Sequence, residues 1–143
     1  MNFPDANVLV YAVNTKASQH LVARDWLDGA LNGDRTVAFT WSVLLAFIRV
    51  STNPAIFPSP LSVDDSMDVV DGWTSQPSAV IVNPGKGHGA VLGDLLRTAQ
   101  QGGNLVPDAH LAALAFENKG TVVSFDRDFG RFAGVKWLIP GSG

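Results

Sequence analysis

The sequence has 143 residues, 46% of them apolar and 16% charged, with no cysteine and a formal charge of −3. That balance suits one folded domain over residues 1–143 and excludes a disordered chain, a disulfide framework, Cys-ligated zinc and a thiol nucleophile. The charge neither requires nor excludes a nucleic-acid partner, since a polyanion can be met by a local basic patch or by metal ions.

The first residues, Met1-Asn2-Phe3-Pro4, lack the basic and apolar regions of a secretory leader, so a cytoplasmic protein is expected. Asp5-Ala6-Asn7 follows, at the point where the chain would leave a sheet and enter a short helix. Residues 18–31 have helical spacing, with Leu21, Trp26 and Leu27 on one stripe. The longest uncharged apolar run, residues 36–48, falls short of the roughly 18 residues that span a bilayer. It reads as a buried strand, 36–39, followed by a helix over 41–52.

A loop over 53–60 precedes a helix over 62–74, whose start carries Ser62, Asp64 and Asp65 as capping and dipole-compensating residues. A strand over 79–82 leads into Gly85-Lys86-Gly87-His88-Gly89, which lacks the Gly-Lys-Ser/Thr ending of a phosphate loop and reads as a helix entry. Helices over 88–100 and 107–119 come next, the second opened by Pro107. Strands over 121–124 and 136–139 close the chain. Strands alternating with helices predict an α/β/α sandwich with a mainly parallel central sheet. Ligands of such sheets bind at the carboxyl ends of the strands, where loops turn into helices.

Acids stand at those ends. Asp5 is either the N-cap of the first helix or a ligand. In Val106-Pro107-Asp108-Ala109-His110-Leu111-Ala112, the proline is expected to hold Val106 extended, leaving Asp108 in the first helical turn on the face of Leu111, Ala112 and Ala115. A carboxylate on that packing face favours a metal-ligand role. Ser124-Phe125-Asp126-Arg127-Asp128 places two carboxylates at a strand exit, Asp126 as the ligand and Asp128 as ligand or turn cap. Arg49 is the sole charge in the helix over 41–52 and is expected to have a partner; an acid one turn earlier would serve, but that position is Ala46.

Four stretches in register resemble the PIN domain, and specifically the VapC toxins of bacterial toxin–antitoxin pairs. They are Asp5-Ala6-Asn7-Val8-Leu9 with Tyr11-Ala12-Val13, Leu44 through Val50 with Thr52-Asn53-Pro54, Gly103-Asn104-Leu105-Val106 with Asp108-Ala109-His110-Leu111, and Ser124 through Phe129. The resemblance implies an endoribonuclease toxin acting on structured RNA of the transfer or ribosomal class. It also implies Mg²⁺ or Mn²⁺ held by Asp5, Asp108 and Asp126, a homodimer, and a VapB-type antitoxin whose C-terminal segment covers the acidic groove.

Asn7, Arg49, Ser124 and Asp128 fall around the implied ligands. The family usually carries Glu where this chain has Ala46, so weak or absent activity is expected. Deliberate disabling and natural degeneration both account for the alanine, and the retained Arg49 and acids favour the first.

Hard divalent cations prefer carboxylate oxygen and activate water for attack on phosphorus, which needs no covalent protein intermediate. Without a cation, like-charge repulsion should leave such a cluster partly protonated. Arg127, Arg131 and Lys136 are the expected RNA contacts. His20, His88 and His110 are expected at the surface or behind the ligands, and Trp26 and Trp73 in the core. Two other readings are a silent PIN protein that binds antitoxin or RNA, and phosphotransfer through an aspartyl intermediate on Asp5.

Overall fold

The computed structural model describes residues 1–142. Five short strands, β1 (Asn2–Pro4), β2 (Val37–Phe39), β3 (Ala79–Ile81), β4 (Thr121–Val123) and β5 (Lys136–Leu138), form one sheet in the order β3-β2-β1-β4-β5. Every pairing is parallel. The α-helices are α1 (Ala6–Val13), α2 (His20–Leu31), α3 (Trp41–Ser51), α4 (Val63–Thr74), α5 (His88–Ala99) and α6 (Val106–Glu117). They give the expected α/β/α sandwich. None of them is long and apolar enough to cross a membrane.

Burial sorts the strands as a parallel sheet requires. β2 is buried along its whole length, as are Phe3 and Pro4 of β1 and Val122 and Val123 of β4. The edge strands β3 and β5 leave Val80, Ile81 and Leu138 exposed. Phe39 and Phe47 bury against Trp73, and Trp26 packs at the core margin, as expected of both tryptophans. Between α6 and β4 the chain passes through Gly120, where any β-carbon would run into the Phe3 ring and the Met1 carbonyl.

The start of α6 departs from the expected geometry. Val106 is helical (φ −59°, ψ −46°) rather than extended, and a short 3-10 turn, Gly103–Leu105, runs directly into it. The steric bias against helix before proline is outweighed here because Pro107 lies in the first turn, where an N–H would have no intrahelical acceptor. Leu111, Ala112 and Ala115 are buried as expected, and so are Ala109, Ala113 and Leu114, which makes α6 a central helix.

The strand order reverses direction between β1 and β4, the place where an open parallel sheet leaves a crevice at its carboxyl edge. Asp5 follows β1 and Ser124 follows β4.

Candidate active site

Asp5 is held from three sides. Its Oδ1 accepts from the Ala6 amide at 2.8 Å, which makes it the N-cap of α1, and its Oδ2 accepts from the Ser124 hydroxyl at 2.7 Å and, more distantly, from Asn7 Nδ2 at 3.4 Å. Capping and pocket-facing roles therefore coexist in one side chain. Ser124 is fully buried and works as the hub of the group. Having given its only proton to Asp5, it accepts from Asn7 Nδ2 at 3.0 Å and from the Asp126 amide at 3.0 Å. Asn7 Oδ1 accepts from the Phe125 amide at 3.2 Å, clamping the exit of β4 to the start of α1.

Asp126 begins a 3-10 turn, Arg127–Arg131, and its Oδ1 accepts from the Asp128 amide at 2.9 Å. The capping role considered for Asp128 thus belongs to Asp126, whose extended backbone (φ −85°, ψ 118°) leaves the side chain free to reach forward. Asp128 turns toward α6 instead. One carboxylate oxygen from each of Asp108, Asp126 and Asp128 lies within 4.8 Å of the others.

Asp5 stands outside that tight trio but shares its field. A cavity of about 80 Å³ is lined by Asp5, Ser42, Ala46, Asp108 and Leu111 among others, so the side chain at position 46 faces two of the acids. Larger clefts exist, of about 420 Å³ around Asn2, Trp26 and Arg35 and about 510 Å³ around Trp26, Leu138 and Ile139. The first lies at the amino end of the sheet, and neither coincides with the acidic trio.

The electrostatics follow from burial first and from like-charge crowding second. Burial, then repulsion from Asp5, Asp126 and Asp128, pushes the Asp108 carboxyl up to about 7. Asp5 is also raised, chiefly by burial and to a lesser extent by Asp126, against the lowering effect of its bonds from Ser124 and Ala6.

Other expected residues separate from the pocket. Arg49 is exposed and forms no ion pair among the described residues, contrary to expectation; with alanine one turn earlier, water is its better partner. Arg127 is exposed between Asp126 and Asp128 in the chain. Arg131 reaches back to the Ala99 carbonyl at 3.4 Å. Lys136 pairs in register with Thr121 at the amino ends of β4 and β5, so the sheet lies between it and the acids.

The histidines hold a second surprise. His20 Nδ1 contacts the Tyr11 carbonyl at 2.8 Å. His88, expected at the surface or behind the ligands, is only 8% exposed: its Nδ1 lies 2.9 Å from Glu117 Oε2 and its Nε2 lies 2.8 Å from His110 Nδ1. Both of its nitrogens find protein partners, which is what permits burial. The sequence signal for this group was the spacing of His110 and Glu117, two turns apart on one face of a helix. Ser42, one turn before Ala46, also escaped notice; its hydroxyl lies 3.1 Å from that of buried Thr40, and it lines the acidic cavity.

Comparison with known proteins agrees with this fold. Residues 3–135 match the PIN domain family. Over 140 residues the chain is 50% identical to ribonuclease VapC37 of Mycobacterium tuberculosis, covering 98% of this chain and 97% of that protein. Among solved structures, VapBC2 of Rickettsia felis bound to a promoter DNA fragment has a TM-score of 0.71 at 18% identity, covering 96% of this chain and 97% of that one. The sarcin–ricin-loop-cleaving toxin VapC20 of M. tuberculosis has a TM-score of 0.67 at 15% identity, covering 95% and 99%. At those identities the two structures speak to the fold alone.

Proposed function

The chain belongs to the PIN-domain family, among the VapC-type toxin ribonucleases, and from that premise we propose a divalent-metal-dependent endoribonuclease whose cleavage is kept low by Ala46. The observation that carries the reading is that Asp108 belongs to two groupings at once: it lines a cavity with Asp5 and residue 46, and it gathers with Asp126 and Asp128.

The donor set fits a hard cation. It offers carboxylate oxygen only, with no cationic side chain paired to it among the described residues, and two of its carboxyls are pushed up by burial and, less, by neighbouring carboxylates. Asp108, Asp126 and Asp128 would hold Mg²⁺ or Mn²⁺, with Asp5 beside them. When bound, such an ion neutralises phosphate charge and acidifies water.

The protein's own part is to hold these groups ready. Ser124 and the Ala6 amide fix the direction of Asp5, and the buried serine ties it to the Asp126 backbone. Asp108, its carboxyl raised to about 7, would be the group to release a proton to make room for a cation's charge. Arg127, exposed at the rim, attracts an RNA backbone.

Cleavage of transfer or ribosomal RNA by this chain and by Ala46→Glu, with and without Mn²⁺, tests the proposal. The reverted carboxylate should raise metal-dependent cleavage on the order of 100-fold. An Ala46→Glu chain that folds, yet cuts no RNA with either metal, would sink it. A catalytically silent module that binds RNA or a VapB-type antitoxin is the second reading, favoured by Ala46 itself; it predicts RNA or antitoxin binding without cleavage in both chains. Trp41 and Leu45, 44% and 60% exposed on α3 beside the cavity, suit an apolar antitoxin segment. A homodimer is proposed on family grounds and is checked by light scattering.

A further inference from the structure

His110 and Glu117 stand seven residues apart on α6, roughly 10 Å along its axis, and the single imidazole of His88 at the start of α5 spans the interval. The chain of contacts runs Glu117 Oε2, His88 Nδ1, His88 Nε2, His110 Nδ1, with the two rings at 83° and their centroids 4.8 Å apart. Such a brace resists both sliding of α6 along α5 and rotation about its own axis. Packing of buried Leu111 and Leu114 opposes both motions, but Ala109, Ala112, Ala113 and Ala115 fill the other buried positions and leave shallow ridges, so the brace adds direction that packing alone sets less sharply.

Asp108 lies two residues before His110, about 200° round the helix, so a turn of α6 that moves His110 moves Asp108 by a similar arc. The carboxyl of Asp108 meets Asp126 and Asp128 across the pocket, so its place in that group depends on the rotational setting of α6.

We propose that His88 and Glu117 are positioning residues for the acidic pocket, acting through His110 to fix the rotation of α6 and so to aim Asp108 at Asp126 and Asp128. The functional consequence rests on the proposed metal centre, whereas the aim of Asp108 can be read without metal.

The test compares His88→Phe, which keeps bulk and deletes both contacts, with His88→Gln, which keeps a polar group near Nε2. Val70→Ala, in a helix that contributes nothing to the pocket, serves as a control for simple destabilisation. Mn²⁺ affinity is measured in the full chain and in the Ala46→Glu background, well below the unfolding temperature. His88→Phe should weaken Mn²⁺ binding on the order of 10-fold or more, His88→Gln by less, and Val70→Ala by under about two-fold.

Amide chemical shifts of Asp108, Asp126 and Asp128 in metal-free protein give the second readout, and they should move in His88→Phe but not in Val70→Ala. Equal Mn²⁺ affinity and unmoved amides in His88→Phe overturn the proposal. If neither background binds Mn²⁺, the metal-centre reading falls, and the amide shifts alone decide the positioning role.

Discussion

α6 carries two polar clusters, and they are built on opposite rules. In the His88–His110–Glu117 group each donor faces an acceptor, so burial is tolerated and the helix is braced. In the pocket around Asp108, carboxylates face carboxylates with no counter-charge beside them. A protein shaped by stability alone would keep the first and discard the second. Their difference is what a ligand site at the pocket, as proposed, would require: folding free energy given up locally.

The sharpest way to break the comparison is to remove charge from one cluster and hydrogen bonds from the other. Asp126→Asn should lower Mn²⁺ affinity about 100-fold, near 2.7 kcal/mol, while leaving the melting temperature unchanged or higher, because it relieves repulsion. His88→Ala should cost about 2 kcal/mol of unfolding free energy by orphaning Glu117 and His110. Calorimetry and metal titration on the two variants measure both effects. A strongly destabilised Asp126→Asn together with a His88→Ala of native stability would erase the distinction.

The pH dependence sharpens it further. Asp108 has its carboxyl raised to about 7, so between about pH 4 and pH 7 the folded chain holds a proton that the unfolded chain has released. Stability from this group is therefore greatest below the ordinary aspartate value and falls as pH climbs toward 7; Asp5, raised as well, acts in the same direction. Solvent at half-buried Asp108 screens part of the effect. Denaturant unfolding at pH 4.5 and 7.5 should show this loss, and Asp108→Asn should flatten it. In the same window Mn²⁺ affinity should rise with pH, by at most about tenfold per unit for one displaced proton. An unfolding free energy that increases from pH 4.5 to 7.5, unaltered by Asp108→Asn, would contradict the crowding argument.

The sheet, its helices and the acids at its edge could be read from the sequence because each leaves a local trace: β-branched runs, helical spacing, and Asp at a strand exit. Position 46 drew notice through Arg49, whose expected partner the structure does not supply, and through the family resemblance; only the cavity lining sets it beside Asp5 and Asp108. What escaped depends on contacts between distant segments. The burial of His88 follows from where α6 presents His110 and Glu117, and no periodicity within α5 announces it. Lys136 looked close to the acids because it follows them in sequence, but the chain returns to the far edge of the sheet before Lys136 opens a parallel strand. Val106 shows a local rule outweighed, since the turn at Gly103–Leu105 already sets helical geometry before the proline.

The smallest expected effect concerns Arg127 and Lys136, two of the three cations that sequence placed together and the fold separates. Arg127 is exposed in the turn between Asp126 and Asp128, where a phosphate drawn to the pocket would pass it. Lys136 begins β5 at the opposite end of the sheet. An exposed cation contributes to RNA binding mainly through counterion release, so Arg127→Ala should weaken binding by under about 1 kcal/mol and reduce the salt slope by about one. Lys136→Ala should change neither. Binding isotherms at three salt concentrations separate the two variants, since Arg127 acts at the rim of the acids only if RNA approaches by the carboxyl edge of the sheet. A salt slope reduced by Lys136→Ala and not by Arg127→Ala would place the RNA on the other side of the molecule.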